Sequence, residues 1–214
     1  MFIVEHYSLA ILLCVITMLC WGSWANTTKL TSKTWRFELF YWDYGLGILL
    51  TTLVLAFTLG STGSEGRSFL QDMKQADTDN LISSFSGGVI FNLANILLVA
   101  AIAIAGMSVA FPVGIGIALV LGVVVNYISV PRGNPVLIFG GVALIAMAIL
   151  LNAKAYQKLK SATAVKVSEK GLLLSVLSGC FMGLFYKYVA GAMATDFNNP
   201  EKGKLTPYTA LVFF

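Results

Sequence analysis

The chain has 214 residues, of which 57% are hydrophobic and only 11% are charged. Because soluble domains carry about 25% charged residues, this composition excludes a water-soluble globule and indicates an integral membrane protein. The net charge is +4, but the basic residues lie in connections beside apolar segments, where they usually set membrane orientation. The charge therefore does not indicate binding to nucleic acid.

Six apolar segments are long enough to cross a membrane as helices, which takes about 20 residues each. The predicted spans cover residues 9–24, 40–60, 82–105, 108–128, 135–152 and 171–193. Only Gly106 and Met107 separate the third span from the fourth, which predicts a tight antiparallel hairpin. The longest connection, residues 61–81, is acidic on balance. The sequence thus predicts an all-helical, multi-pass protein in a lipid bilayer.

The sixth span repeats the pattern of the first. Residues 12–25 read LLCVITMLCWGSWA and residues 173–186 read LLSVLSGCFMGLFY, so that Gly22 matches Gly183. Five spans followed by a restart indicate a duplicated unit, as in many secondary transporters. The alternative is a chance similarity between two apolar helices.

The repeat divides the chain into three predicted regions. Residues 1–153 form a first five-helix repeat, residues 154–170 a basic cytoplasmic connector, and residues 171–214 the start of a second repeat. The last of these regions ends in TPYTALVFF, which is typical of the beginning of a seventh span. We therefore expect about six and a half of ten helices here, with the C-terminal helices missing.

The distribution of lysine and arginine predicts the orientation. Among the first five connections, one set holds eight basic residues, Lys29, Lys33, Arg36, Lys154, Lys158, Lys160, Lys166 and Lys170. The other set holds Arg67, Lys74 and Arg132. Because the excess of basic residues marks the cytoplasmic side, the N-terminus is predicted to lie outside the cell (inner) membrane.

Small residues recur at helical spacing in the fourth and sixth spans. Such residues let helix backbones approach closely in lipid, and a proline in a span loosens the backbone around it. A static packing contact and a moving interface both remain open. The candidates for helix packing or gating are Gly22, Pro112, Gly114, Gly122, Gly179 and Gly183.

Three polar side chains within the predicted spans are candidates for a functional role. Asn92 and Asn95 are three residues apart, which places them on one face of the third span. Because an amide in hydrocarbon needs partners, they either bond a neighbouring helix or bind a solute in a central cavity. Asp43 lies about one turn into the second span and is the candidate for proton coupling. The alternative for Asp43 is an ordinary interfacial position.

Two tryptophans, Trp21 and Trp24, share a face of the first span. They either belong to an interfacial aromatic belt or stack on a bound solute. The sequence contains no HExxH, GxSxG or phosphate-loop motif. Its cysteines, Cys14, Cys20 and Cys180, show no metal-ligand spacing. We therefore predict that the protein is not an enzyme and has neither a cofactor nor a metal site.

Short motifs in a fixed order extend over about residues 1–155. They are VE at 4–5, GSW at 22–24, YWDY at 41–44, FTLG at 57–60, GGV at 87–89, NLAN at 92–95, GMSV at 106–109 and LGVVVNY at 121–127. Their order and spacing resemble those of the ureide permease family of the drug/metabolite transporter superfamily. That family is similar in turn to bacterial permeases for glucose, ribose and rhamnose.

The resemblance implies ten helices in two inverted five-helix repeats and proton-coupled uptake (symport) of a small polar solute. The solute would be a ureide, a nucleobase or a sugar. From the residues themselves, we expect it to be bound by Trp21 or Trp24, Asn92 and Asn95. Plant members carry a long central loop with a nucleotide-like motif, whereas residues 154–170 are short and lack it. Because the connector differs from that of the plant members, a sugar remains an alternative to a ureide or a nucleobase as the solute.

Two other functions remain open. One is a drug or metabolite exporter of the same superfamily, and the other is a non-transporting membrane scaffold. The expected partners are the solute, protons and the lipid bilayer, without nucleic acid, and a homodimer is left open.

Overall fold

The computed structural model describes residues 1–27, 35, 37–131, 133–161 and 168–214. Within these residues the chain forms helices and no strand. The helices are α1 (Tyr7–Thr27), α2 (Phe37–Phe57), α3 (Leu59–Thr62), α4 (Phe69–Gln75), α5 (Thr78–Ala105), α6 (Met107–Ser129), α7 (Pro135–Ser161), α8 (Glu169–Ala192) and α9 (Pro207–Phe213). The predicted all-helical fold is confirmed.

Six helical segments in the described part of the chain are long and apolar enough to cross a membrane. They are Tyr7–Trp24, Leu39–Thr62, Thr78–Ala105, Met107–Ser129, Pro135–Asn152 and Glu169–Ala192. A helix suits lipid because it satisfies its backbone polar groups internally. A hydroxyl group in a span can also form its hydrogen bond within its own helix. In α1, Thr17 Oγ1 donates to the Leu13 carbonyl oxygen at 2.8 Å. The predicted multi-pass architecture is thus confirmed.

The helix boundaries differ from the predicted spans at polar segments. The predicted loop at residues 61–81 contains α4, whose first turn is held by a capping box between Ser68 and Gln71. It also contains the first turn of α5, which begins at Thr78. Hydropathy locates only the apolar part of a helix, so it does not predict helical turns made of polar residues.

The hairpin between α5 and α6 is as tight as predicted. The single residue Gly106 joins the two helices, and its φ angle is 81°. This left-handed conformation is readily available to glycine and costly for residues that carry a Cβ atom. A glycine here therefore lets α6 begin directly where α5 ends.

Contacts divide the chain into two compact units. The first unit comprises Met1–Asp77 and Met193–Val212, and the second comprises Thr78–Ala192 and Phe213–Phe214. In the first unit, the rings of Phe57 and Phe69 pack edge to face at 5.1 Å. Phe69 is buried there together with Ala56.

The second unit is built around α5, α6 and α8. An ideal Cβ on Gly171 would lie 2.5 Å from the Cβ of Ala105, and one on Gly87 would lie 2.6 Å from Val189 Cγ2. These two contacts show that α5 and α8 run antiparallel. Leu98 is 1% exposed and is the largest apolar side chain of this core.

Parts of the predicted topology fall on residues that the structure does not describe. Lys29, Lys33, Arg36, Arg132 and Lys166 lie outside the described residues, and the predicted orientation depends on them. The inverted repeat, the boundaries of the three regions and the external N-terminus stay predictions.

Candidate functional site

The most unusual polar group of the second unit is the amide of Asn95 in α5. Asn95 is 2% exposed. Its Oδ1 atom is buried and has no hydrogen-bond partner among the residues that the structure describes. An unpaired acceptor of this kind costs about 1–3 kcal/mol. The site therefore offers an acceptor that a bound donor would satisfy.

A second buried polar contact lies beside Asn95. The Ser178 hydroxyl of α8 donates to the carbonyl oxygen of Ala94 at 2.7 Å. Ser178 and Ala94 are both buried. This bond fixes α8 against α5 at the residue next to Asn95, so the backbone that carries the amide is held in place.

An aromatic cluster lies one helical turn from Asn95, and the sequence analysis did not include it. Phe91 precedes Asn95 by four residues, which places both on one face of α5. The Phe91 ring lies 4.9 Å from that of Phe185 and 5.2 Å from that of Phe214. One signal was available in the sequence, because Phe185 aligns with Trp24 in the predicted repeat.

Asn92 differs from Asn95 in its environment. Asn92 is exposed and has an interaction partner, whereas Asn95 is buried. Helical spacing placed the two amides on one side of α5. The burial of each depends on the helices packed against that side, which spacing does not reveal.

Four of the predicted packing glycines meet at one contact, between α6 and α8. An ideal Cβ on Gly179 would lie 2.5 Å from the carbonyl oxygen of Gly114, and one on Gly183 would lie 2.9 Å from Leu121 Cβ. A Cβ on Gly122 would lie 3.6 Å from the Gly183 carbonyl oxygen. The two backbones therefore touch, which larger residues would prevent.

The other two residues of this group lie elsewhere. Pro112 lies inside α6 near its beginning. A Cβ on Gly22 in α1 would meet no heavy atom within 4 Å among the described residues. Whether any of the six residues serves gating stays a prediction.

In the first unit, the Trp24 side chain contacts the start of α2, where Asp43 also lies. The Trp24 ring stacks on Tyr44 at a centroid distance of 6.1 Å, and Tyr41 lies 5.9 Å from Tyr44. Asp43, the proton-coupling candidate, is exposed. Trp21 is 41% exposed. Trp24 thus belongs to an aromatic cluster with Tyr41 and Tyr44. Tyr44 directly follows Asp43 in the sequence.

In the described ranges, no three His, Cys, Asp or Glu side chains are grouped closely enough to hold a metal ion.

These features define the class of protein. Six long apolar helices indicate a multi-pass membrane protein, and a polar side chain is buried within one of its helical units. The sequence profile described as "Ureide permease" matches residues 40–170. The chain belongs to the ureide permease family.

Curated relatives in this family come from plants. Ureide permease 1 of Arabidopsis thaliana is 28% identical over 159 residues, which cover 73% of this chain and 41% of that protein. Ureide permease 4 of the same plant is 27% identical over 175 residues, covering 79% of this chain and 43% of that protein. Probable ureide permease A3 of Vigna unguiculata is 26% identical over 154 residues, covering 70% and 41%.

The chain therefore spans less than half the length of these curated relatives. No solved structure matches it.

Proposed function

We propose that the protein is a secondary active transporter that takes up a small polar solute together with protons across the cell membrane. The solute is a ureide, a nucleobase or a sugar. Membership of the ureide permease family supports transport. The observation that carries the proposal is the buried, unpaired Oδ1 atom of Asn95.

Asn95 serves in this proposal as the acceptor for a solute N–H or O–H group. A buried amide oxygen gains most from a donor when water is excluded, because the hydrogen bond is stronger in a low-dielectric interior. Ureides, nucleobases and sugars all carry such donors. The phenylalanine rings one turn away supply apolar contact for the rest of the solute.

The other predicted residues take lesser roles in the same proposal. Asn92 is a second amide one turn from Asn95 on α5, and it contacts the solute at its exposed edge. Trp21 or Trp24 stacks on the solute, which requires Trp24 to exchange its contact with Tyr44 for a contact with the solute. These roles are independent of each other and can be tested one at a time.

The test of the binding role is Asn95→Leu, measured as uptake of radiolabelled allantoin, uracil and glucose into liposomes. Loss of one hydrogen bond to the solute raises the KM about tenfold. The melting temperature stays the same or rises, because leucine removes an unpaired buried acceptor. A rise in KM without a loss of stability separates solute binding from a purely structural role.

The matched control is Asn126→Leu. The Nδ2 atom of Asn126 donates to the Gly122 carbonyl oxygen at 2.8 Å within α6, so this variant makes the same chemical change at an amide already paired. Its uptake should equal that of the unmodified protein. Unchanged uptake by Asn95→Leu would remove Asn95 from the binding site.

Proton coupling is assigned to Asp43. It is a carboxylate within a span, and such residues are costly and commonly functional. Asp43→Asn should abolish accumulation driven by a pH gradient while leaving exchange of labelled for unlabelled solute. Asp79→Asn, in the first turn of α5, is the control and should accumulate solute normally. Gradient-driven accumulation by Asp43→Asn would exclude this assignment.

The same liposomes distinguish the two other functions. An exporter would expel solute from loaded vesicles and would give expressing cells resistance to a toxic solute. A scaffold would show neither uptake nor exchange with any of the three solutes.

A further inference from the structure

A polar cluster in the first unit connects two chain segments that are far apart in sequence. We name it the loop joint: Arg67, Asp72 and Gln75 on one side and residues 201–206 on the other. Asp72 is fully buried. Its Oδ1 atom accepts hydrogen bonds from Arg67 Nε at 2.9 Å and from Gln75 Nε2 at 3.1 Å. Its Oδ2 atom accepts from the Thr206 backbone N–H at 2.7 Å.

The same side chains also bind the backbone of the second segment. Arg67 donates through its second nitrogen to the carbonyl oxygens of Glu201 at 3.0 Å and Lys204 at 2.8 Å. Gln75 donates to the Lys204 carbonyl oxygen at 2.9 Å, and it accepts from the Gly203 N–H at 2.6 Å. The loop joint therefore fixes the course of residues 201–206 as a whole.

Close packing adds to the polar contacts. An ideal Cβ on Gly60, in α3, would lie 2.9 Å from the Cβ of Tyr208, in α9. The Tyr208 hydroxyl donates to the carbonyl oxygen of Phe2 at 3.1 Å. Leu205, within the joint, is completely buried. The short helix α3 and the start of α9 are thus in direct contact.

The order of the predicted spans places both segments of the loop joint on one side of the membrane. Four candidate spans lie between them, α5 to α8, so both segments emerge on the same membrane surface. One segment follows the second span and the other follows the sixth. A contact between them ties the early part of the chain to the part in which the first-span pattern restarts.

We propose that the loop joint is a fixed connection that stays closed while the protein transports its solute. A gate that opens in each cycle needs contacts that are cheap to break. Opening this joint takes the Thr206 N–H from the buried Asp72 carboxylate and the carbonyl oxygens of residues 201 and 204 from the Arg67 guanidinium. Hydrogen bonds to charged groups are the costlier ones to lose, and a buried charged group pays most. The moving parts of the transporter therefore lie elsewhere. The transport part of this inference rests on the proposed function.

The first test needs no transport. In the unmodified protein, the Lys204–Leu205 bond should resist trypsin, because its carbonyl oxygen is bound by two side chains and Leu205 is buried. Asp72→Asn should speed cleavage there roughly tenfold or more. Glu65→Gln removes an exposed carboxylate from the same loop and should leave the rate unchanged. Rapid cleavage of the unmodified protein, or equal rates in all three, would overturn the proposal.

The second test locks the joint covalently. Gly60→Cys with Tyr208→Cys brings two Cβ atoms within reach of a disulfide, which needs about 3.5–4.5 Å, after a shift of under about 1 Å. The natural cysteines are first replaced by serine at positions 14, 20 and 180. Uptake into liposomes is then compared before and after oxidation, with each single cysteine variant as control.

The oxidised protein should keep most of its uptake. Loss of uptake on oxidation, restored by a reductant, would show that the joint must open and would overturn the proposal. If neither the oxidised nor the unmodified protein takes up any of the three solutes, the proposed function fails instead. The trypsin result then still decides whether the joint stays closed.

Discussion

The contact between α6 and α8 allows a quantitative test of helix packing through Gly179→Ala. The added Cβ would lie 2.5 Å from the Gly114 carbonyl oxygen and 2.8 Å from Ile117 Cβ, whereas ordinary contacts begin at 3.4 Å. The obstacle includes backbone, so the conflict cannot be relieved by rotating a flexible side chain. The two helices must separate by about 1 Å, which forfeits a quarter to a half of the dispersion energy of the atoms facing each other.

The magnitude follows from a comparison within one helix. Overpacking of this kind costs about 1–3 kcal/mol, while alanine gains about 1 kcal/mol over glycine in helix propensity. Gly191→Ala, also in α8, carries only the propensity term, because its Cβ would meet no heavy atom within 4 Å among the described residues. The free energies of unfolding of the two variants should therefore differ by about 1–3 kcal/mol.

The assay is reversible unfolding in mixed micelles, followed by circular dichroism as the denaturing detergent is raised. Gly122→Ala is an internal check. Its Cβ would lie at an ordinary distance of 3.6 Å from the Gly183 carbonyl oxygen, so it should behave like Gly191→Ala. Equal stability of Gly179→Ala and Gly191→Ala would refute the reasoning that backbone contact holds α6 against α8.

Three further predictions concern single contacts. Ser178→Ala removes the bond from α8 to α5 and should lower the free energy of unfolding by about 1 kcal/mol, whereas Ser86→Ala, whose hydroxyl bonds only within its own helix, should change it less. Gly203→Ala should destabilise by more than the roughly 1–2 kcal/mol that its left-handed φ of 84° costs in the same assay, because its Cβ would also overlap the Asp77 carboxylate. The Thr195 hydroxyl donates to Glu201 and lowers the pKa of that carboxyl below its ordinary value of 4.5. The stabilisation that this hydrogen bond gives the folded protein is therefore complete above pH 4.5 and is lost as the pH falls through the lowered pKa of Glu201. The melting temperatures of Thr195→Val and the unmodified protein should differ at neutral pH and converge as the pH falls through the lowered pKa of Glu201.

The sequence predicted the spans closely because lipid imposes a simple rule on them. A crossing helix needs a long apolar run, so hydropathy alone located the apolar parts of α1, α2 and α5 to α8. It did not predict the loop joint. Arg67 and Lys204 are 137 residues apart, and each is an ordinary charged residue in its own segment. Only the folded chain shows that the guanidinium of one binds the backbone of the other.

The candidate site was predicted in part. The spacing of Asn92 and Asn95 identified a polar side of α5, and the structure adds that only Asn95 is buried. The role of Phe91 was hidden because phenylalanine is common in spans. Its importance lies in contacts with Phe185 and Phe214, which depend on how α5 packs against other elements.

The one-residue connection at Gly106 has a consequence for how the chain enters a membrane. The helices α5 and α6 are each long enough to cross the membrane, and only one residue joins them. Neither helix can therefore take its orientation in the membrane independently of the other. The direction of one fixes the direction of the other, so the two should insert together as a single hairpin. An engineered loop at this position would uncouple two insertion events that the natural sequence makes inseparable.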